Sequence, residues 1–180
     1  LIAAGPRLGE MTTGGYNLLD IPMPNQGLVH VYPGAEELGR VYRPTLAINA
    51  GMDAFARSLA AMEPLQDPKW ADDTKQAHAD YLAWSEPTDV PGNVNVGQVV
   101  HMLRDAMPDD GVITNGAGNF AAFVHRFFRY RDFGTQLAPT SGSMGYGVPA
   151  GIAAKRMHPG RTVVTVAGDG DFMMTGQELA

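Results

Sequence analysis

The stretch VVTVAGDGDF, residues 163–172, decides the fold, because an apolar segment runs directly into two aspartates separated by a glycine. Five residues that suit a buried strand are followed by the loop 168–171, and a helical pattern follows at 172–180. This order is typical of an α/β protein in which a parallel sheet carries helices on both faces. Ligands of such sheets bind beyond the carboxyl ends of the strands, which is where Asp169 falls.

The four letters GDGD allow three interpretations. One is an ordinary turn, in which Asp-Gly pairs are common. A calcium loop is excluded, because its fifth and sixth positions would hold Met173 and Met174. The third is a metal–diphosphate site, in which Gly170 lets the backbone approach a ligand and the helix start offers free N–H groups. The Asp169 carboxylate would repel the phosphates, and a Mg²⁺ ion bound between them would remove this repulsion. The strand–loop–helix context favours this interpretation.

Two more glycine-rich loops lie in the same region. TSGSMGYG (140–147) is either a helix-capping loop with Met144 in the core, or a loop from which Met144 supports a flat heterocycle. In the second case the carbonyl of Gly142 is free to accept a hydrogen bond. TNGAGN (114–119) has one glycine too few for a dinucleotide-binding motif, so it is a weak signal by itself. As a second anion-binding loop of the same sheet it becomes a stronger indication of a phosphate site.

Alternating patterns divide the chain into two partial domains joined by a linker with four prolines at 63–94. We predict strands at 1–4, 28–32, 46–48, 112–114 and 162–167, and helices at 52–62, 68–84, 96–107, 120–129, 146–157 and 172–180. The first partial domain, residues 1–62, has the pattern of the end of an α/β domain. The second, residues 95–180, holds all three glycine-rich loops.

Composition narrows the function. Hydrophobic residues make up 44% and charged residues 18% of the 180, which predicts a globular protein. The net charge of −6 argues against nucleic-acid and membrane partners, and the absence of cysteine excludes thiol chemistry. The basic aromatic run HRFFRYR (125–131) is either an RNA-stacking surface or a packed helix with a basic edge, and the charge favours the helix. We therefore expect a cytoplasmic protein without membrane or nucleic-acid partners.

Taken together, VITNGAGN, TSGSMGYGVPAGIAAKRMHPGR and VVTVAGDGDFMMTGQELA resemble the diphosphate-binding domain of thiamine diphosphate (ThDP) enzymes. Within that family they are most similar to the catalytic (large) subunit of acetolactate synthase. The resemblance implies a Rossmann-like ThDP-binding fold. Residues 1–62 would be the C-terminal part of the central domain, 63–94 the linker, and 95–180 the N-terminal part of the diphosphate-binding domain.

The resemblance implies a role for each residue of the GDGD motif. Asp169 would be a Mg²⁺ ligand, and Gly170 and Asp171 would offer backbone N–H groups to the diphosphate. Asp171 stands where many relatives have a small hydroxyl residue or glycine. Its extra charge near the phosphates implies that its side chain points away from them.

The resemblance also assigns cofactor-binding residues to the other two loops. The carbonyl of Gly142 would accept a hydrogen bond from the aminopyrimidine, with Ser143 beside it in the same loop. Met144 would hold ThDP in its bent conformation. Gly118 and Asn119 would line the diphosphate pocket.

No catalytic residue is expected within these 180 residues. The glutamate that activates the pyrimidine ring lies on an N-terminal domain of the family, and the Asn that completes its metal motif lies further along than Ala180. Glu10 and Glu178 do not match either position. Both ends of the chain look cut, so we expect these residues alone to turn over no pyruvate.

For the intact protein, the resemblance implies ThDP- and Mg²⁺-dependent decarboxylation and carboligation of 2-keto acids such as pyruvate, by a homodimer or tetramer. The alternatives are a ThDP-dependent 2-keto-acid decarboxylase or lyase, and a non-catalytic ThDP-binding fragment or relative. FAD is a further candidate cofactor. The segment GPRLGEMTTGGY (5–16) is either a loop that binds the phosphates of FAD or an ordinary loop after a strand.

Overall fold

The computed structural model describes all residues from Leu1 to Ala180, which form two compact units, Leu1–Pro68 and Lys69–Ala180. Each unit is built on a three-stranded parallel sheet with helices, so the predicted α/β class is confirmed. The division between the units lies inside the predicted linker, residues 63–94, and the finer domain limits stay a prediction. None of the helices combines the length and the apolar character that a membrane span requires.

The first unit is a small sheet followed by one helix. It contains β1 (Ile2–Ala4), β2 (Val29–Tyr32), a 3-10 turn (Ala35–Glu37), β3 (Leu46–Asn49) and α1 (Met52–Ala60). The strands lie in the order β1-β2-β3, with Ile2 beside Val29 and Val29 beside Leu46. Its buried core consists of Ala3, Leu19, Leu28 and Tyr42.

The second unit carries the three glycine-rich loops. Its elements are α2 (Ala71–Trp84), α3 (Val96–Ala106), β4 (Val112–Asn115), α4 (Asn119–Phe127), β5 (Gln136–Leu137), α5 (Gly147–Met157), β6 (Val163–Val166), α6 (Asp169–Thr175) and a 3-10 turn (Gly176–Leu179). The strand order is β5-β4-β6, all parallel. Because all three strands are parallel, the loops that follow them emerge at the same edge of the sheet.

One face of this sheet is apolar and packs against α3 and α4. Ile113 is fully buried there and lies beside Val164 of the neighbouring strand. Val100 of α3 and Val124 of α4 complete the same core. This burial supplies the main stabilisation of the unit, since buried aliphatic side chains each contribute about 1.5–3 kcal/mol.

The opposite face is polar at its centre and packs closely against α5. Because side chains alternate along a strand, Thr114 and Thr165 face away from Ile113. Their hydroxyl oxygens lie 2.8 Å apart, and Thr114 Oγ1 donates to the carbonyl of Gly147 at 2.9 Å. A Cβ on Gly151 would overlap the Thr165 hydroxyl, so α5 approaches the sheet this closely only with glycine there. Helices therefore cover both faces, as predicted.

The predicted helix at 172–180 was placed three residues too late, and the predicted loop 168–171 is wrong. Helix α6 begins at Asp169 and ends at Thr175. Gly168 takes the extended N-cap conformation (φ −78°, ψ 167°), and the amide of Phe172 donates to its carbonyl at 2.8 Å. Two aspartates in the first turn favour this start, because the positive end of the helix dipole stabilises carboxylates.

Candidate functional site

The three glycine-rich loops are joined to one another at the carboxyl edge of the second sheet. Gly145, in the loop after β5, accepts a hydrogen bond from Thr175 Oγ1 of α6 at 2.9 Å. Its amide donates to Asp171 Oδ1 at 2.6 Å. A Cβ on Gly147 would lie only 2.8 Å from the amide nitrogen of Gly116, in the loop after β4. The structure therefore brings the three motifs together as one constellation.

Asp171 lies at the centre of this constellation rather than at the surface. Its side chain is only 2% exposed, which is unusual for an aspartate. The carboxylate packs directly over Gly116 and receives the Gly145 amide on Oδ1, while Oδ2 is buried without a hydrogen-bond partner. The side chain of Asp171 thus tethers two of the loops to α6, a role that the sequence reasoning missed.

Phe120 is a second residue that the sequence reasoning missed. Its ring lies between two loop glycines, because a Cβ on Gly118 or on Gly168 would approach the ring to 2.8 Å or 2.9 Å. The ring therefore sets the separation between the loop after β4 and the loop after β6. The sequence signal was present, since an aromatic residue in the first turn of a helix that follows a glycine-rich loop has little else to pack against.

Two of the predicted cofactor-binding residues, Gly118 and Gly142, line one cavity of about 310 Å³. Gly142 adopts φ 69°, a conformation that favours glycine, and a Cβ there would have no atom within 4 Å. Its backbone is therefore open to the cavity. Asn115 also lines this space, and its Oδ1 is buried without a partner while Nδ2 donates to the Gly116 carbonyl at 2.8 Å.

Asp169, the predicted metal ligand, lies elsewhere. It is exposed at the first position of α6 and lines a larger cleft of about 690 Å³ formed along α5, β6 and α6. Lys155 and Phe172 line the same cleft. No group of three or more His, Asp or Glu side chains is placed to hold a metal ion.

The remaining predicted residues, apart from Asp171, are exposed and line neither cavity. Asn119, Ser143 and Gly170 are exposed, and the hydroxyl oxygens of Ser143 and Ser141 lie 2.8 Å apart. Met144 is 47% exposed, so it is not a core residue. Its Cε lies 3.5 Å from the position of a Cβ on Gly170, which places Met144 over the start of α6.

The loop 5–16 of the first unit, the candidate FAD-side loop, is held by its own hydrogen bonds. Thr12 Oγ1 donates to the Arg7 carbonyl at 2.6 Å, and Thr13 Oγ1 donates to the Gly9 carbonyl at 2.7 Å. Arg7 Nε donates to the Tyr32 hydroxyl at 2.9 Å. These contacts hold the side chains of Arg7, Thr12 and Thr13 within the first unit.

Comparison with known proteins links this constellation to one class of cofactor. Residues 116–180, which contain all the contacts between α6 and the loops, match the family "Thiamine pyrophosphate enzyme, C-terminal TPP binding domain". A solved structure, the thiamine diphosphate-dependent 4-hydroxybenzoylformate decarboxylase of Rhodococcus jostii RHA1, superposes with a TM-score of 0.60 at 23% identity. The superposition covers 83% of this chain and 27% of that one, and it shows a shared fold.

The whole chain is also similar to acetolactate synthases. It is 28% identical over 181 residues to the isozyme 2 large subunit of Escherichia coli K12, covering 99% of this chain and 32% of that protein. It is 25% identical over 189 residues to the chloroplastic acetolactate synthase 1 of Zea mays, covering 100% of this chain and 29% of that protein. The chain therefore spans about a third of the length of the curated relatives it matches.

The predicted resemblance to ThDP-dependent enzymes is confirmed, because residues 116–180 match their TPP-binding domain and a solved ThDP-dependent decarboxylase shares the fold. The two named relatives that align over 99% and 100% of this chain are acetolactate synthases.

Proposed function

We propose that the full-length protein catalyses ThDP- and Mg²⁺-dependent decarboxylation and carboligation of 2-keto acids such as pyruvate, in the manner of an acetolactate synthase. One observation carries the proposal. Three glycine-rich loops are joined through Asp171, Thr175 and Gly145 at the carboxyl edge of one parallel sheet, inside the segment that matches a TPP-binding domain. That edge is where α/β sheets bind ligands.

The backbone at this edge suits ThDP. The open carbonyl of Gly142 would accept a hydrogen bond from the aminopyrimidine, and Ser143 would lie next to that contact. Gly118 and Asn119 would line the diphosphate pocket, because a loop without side chains lets phosphate approach the backbone. The small residues around the cavity of about 310 Å³ leave the space that such a ligand needs.

The start of α6 suits a phosphate–metal pair. The first amide of α6 with a partner four residues back is that of Phe172, so the amides of Gly170 and Asp171 are available to a diphosphate. The exposed carboxylate of Asp169 would bind Mg²⁺, which typically takes one or two carboxylates together with phosphate oxygens and water.

When bound, ThDP supplies the electron sink that a 2-keto acid needs in order to lose CO₂. The residues of this chain supply orientation. Met144, exposed over the start of α6, would support the cofactor from beneath, and Gly142 would fix the direction of its aminopyrimidine. Met144→Ala should therefore slow turnover more than it weakens ThDP binding.

Assembly and further cofactors belong to the same proposal. We expect a homodimer or tetramer, supported by exposed apolar side chains on α6, where Phe172, Met173 and Met174 are 42%, 78% and 53% exposed. FAD is a candidate for the first unit, although the internal hydrogen bonds of the loop 5–16 give it no specific support.

Product analysis tests the proposed reaction. The full-length protein should form acetolactate from pyruvate only when both ThDP and Mg²⁺ are present. Release of CO₂ and aldehyde without acetolactate would favour the decarboxylase or lyase alternative. ThDP binding without any turnover of 2-keto acids would favour a non-catalytic relative.

A further inference from the structure

We propose that Asp171 and Thr175 are positioning residues that hold Gly145 by both of its backbone polar groups and thereby fix Met144 for the cofactor. We call this pair the Gly145 clamp. The part played by Met144 rests on the proposed function, whereas the clamp itself rests on contacts within this chain.

The two residues of the clamp lie one helical turn apart on the same face of α6. Asp171 Oδ1 accepts from the Gly145 amide at 2.6 Å, and Thr175 Oγ1 donates to the Gly145 carbonyl at 2.9 Å. Residues four apart on a helix are neighbours, so a single short helix can reach the donor and the acceptor of one loop residue. Both backbone groups of Gly145 are therefore satisfied by side chains of α6.

Close packing holds Gly145 at the same place. Its φ is 78°, which favours glycine, and a Cβ there would lie 3.1 Å from Cβ of Met174 and 3.1 Å from Cγ2 of Thr175. The loop backbone thus lies directly against α6. A shift of Gly145 away from the helix would break both hydrogen bonds together.

The residue that precedes the clamped glycine is Met144. A methionine side chain has several rotatable bonds and adapts to its surroundings, so its direction depends on how firmly its backbone is held. Met144 reaches over the start of α6 while remaining 47% exposed, with its Cε 3.5 Å from the position of a Cβ on Gly170. The hydrogen bonds of Asp171 and Thr175 are made to Gly145, so the clamp acts on Met144 through the backbone.

The burial of Asp171 has a reason in this scheme. Placing a carboxylate where it is 2% exposed is costly unless it is hydrogen-bonded. The Gly145 amide is buried as well, and without Asp171 it would lack an acceptor. A carboxylate accepts a stronger hydrogen bond than a neutral oxygen does. A smaller side chain at position 171 would not reach the Gly145 amide.

Amide hydrogen exchange of the ligand-free full-length protein tests the clamp. Asp171→Ala and Thr175→Val should each raise the exchange rate of the Gly145 amide about tenfold, the factor expected for one lost hydrogen bond. Asp171→Asn and Thr175→Ser, which keep the acceptor and the donor, should retain slow exchange. Thr162→Val, which removes an exposed hydroxyl at the other end of β6, is the matched control and should change nothing. Unchanged exchange in both disruptive variants would overturn the proposal.

The action through Met144 is tested on the protein loaded with ThDP and Mg²⁺. The near-ultraviolet circular dichroism of the bound cofactor reports its conformation. Thr175→Val and Met144→Ala should each reduce that signal about twofold or more, and the double variant should not fall below Met144→Ala, because coupled residues are non-additive. If the double variant lost the product of the two single reductions, the positioning role would be overturned, while the proposed function would stand. A wild-type protein that binds no ThDP would instead overturn the proposed function, and the positioning role with it.

Discussion

The carboxylate of Asp171 occupies the space that a side chain on Gly116 would need. Gly116 lies in the loop after β4 and Asp171 in helix α6, 55 positions apart in sequence, and a Cβ on Gly116 would overlap the carboxylate. Gly116 is therefore required by the residue that packs over it. The loop after β4 and the helix after β6 are matched to each other at this contact.

Gly116→Ala should destabilise the second unit by roughly 1–3 kcal/mol, the usual cost of overpacking a buried site. Replacing Asp171 with serine in the same protein makes room for the new methyl group. The double variant Gly116→Ala/Asp171→Ser should therefore be less destabilised than the sum of the two single variants in urea unfolding. Strictly additive losses would show that the two residues are independent.

Gly147→Ala should also destabilise the protein, by roughly 1–3 kcal/mol, although alanine favours helices. A Cβ at this position would lie 2.8 Å and 2.9 Å from backbone atoms of Gly116 and Asn115. Asn115 is the last residue of β4 and Gly116 follows it directly, so neither backbone can move aside alone. Gly160→Ala is the matched control, because a Cβ there would meet no atom within 4 Å. Thermal unfolding measures both variants. An equal decrease in the unfolding midpoint of Gly147→Ala and Gly160→Ala would contradict this explanation.

Arg129, which follows α4, ties the end of α2 to the segment after α4. Its Nε donates to Ser85 Oγ at 2.9 Å, and its Nη2 lies 2.8 Å from the Leu82 carbonyl oxygen, 2.6 Å from Ser85 Oγ and 2.7 Å from Glu86 Oε1. Lysine cannot reproduce this planar set of donors, so Arg129→Lys should cost about 1–3 kcal/mol of unfolding free energy.

The exposed Arg156, which makes no such bonds, provides the control, and Arg156→Lys should be neutral within about 0.5 kcal/mol. Proteolysis near residue 85 should also become faster in Arg129→Lys. Equal stability of the two lysine variants would refute the anchoring role.

Tyr130 makes the stability of the protein pH-dependent in the alkaline range. Burial raises the pKa of its phenol from 10.0 to about 12, and its hydroxyl has no hydrogen-bond partner. Below pH 10 the folded and unfolded states both keep the proton. As the pH rises from about 10 towards 12, the unfolded state loses its proton first, so the stability of the folded state falls.

Tyr130→Phe should therefore lose less unfolding free energy than the wild type between pH 8 and pH 11 in urea titrations. At pH 8 it should be close to neutral, because the ring contact with Phe128, 4.9 Å between centroids, is retained. Parallel losses in both proteins would show that the Tyr130 phenol does not titrate differently in the two states.

The elements of the fold could be predicted because they depend on local periodicity. The pattern around Ile113 and Val164 identifies strands whose apolar sides face one layer of helices, and the structure pairs these two residues directly. The glycine-rich loops after β4 and β6 could be located for the same reason, since each follows a predicted strand. The loop 140–147 follows β5, which has only two residues and was not predicted as a strand.

The contacts between the loops could not be predicted, because they depend on which side chains meet across the sheet. Asp171 was expected to point away from a ligand, but nothing in GDGD indicated that it would be 2% exposed and bonded to Gly145. The late prediction of the start of α6 has a related cause. An Asp-Gly-Asp sequence has turn propensity, and the helix forms there because its first turn packs against the neighbouring loops.

Metal-dependent cofactor binding by the full-length protein tests the central claim most directly. ThDP should bind the wild type much more tightly with Mg²⁺ than without it, as measured by isothermal titration calorimetry. Asp169→Ala should abolish that dependence on Mg²⁺, whereas Asp73→Ala, which removes an exposed aspartate from α2, should leave it intact. Unchanged Mg²⁺-dependent affinity in Asp169→Ala would contradict the assignment of this edge of the sheet as the ThDP site.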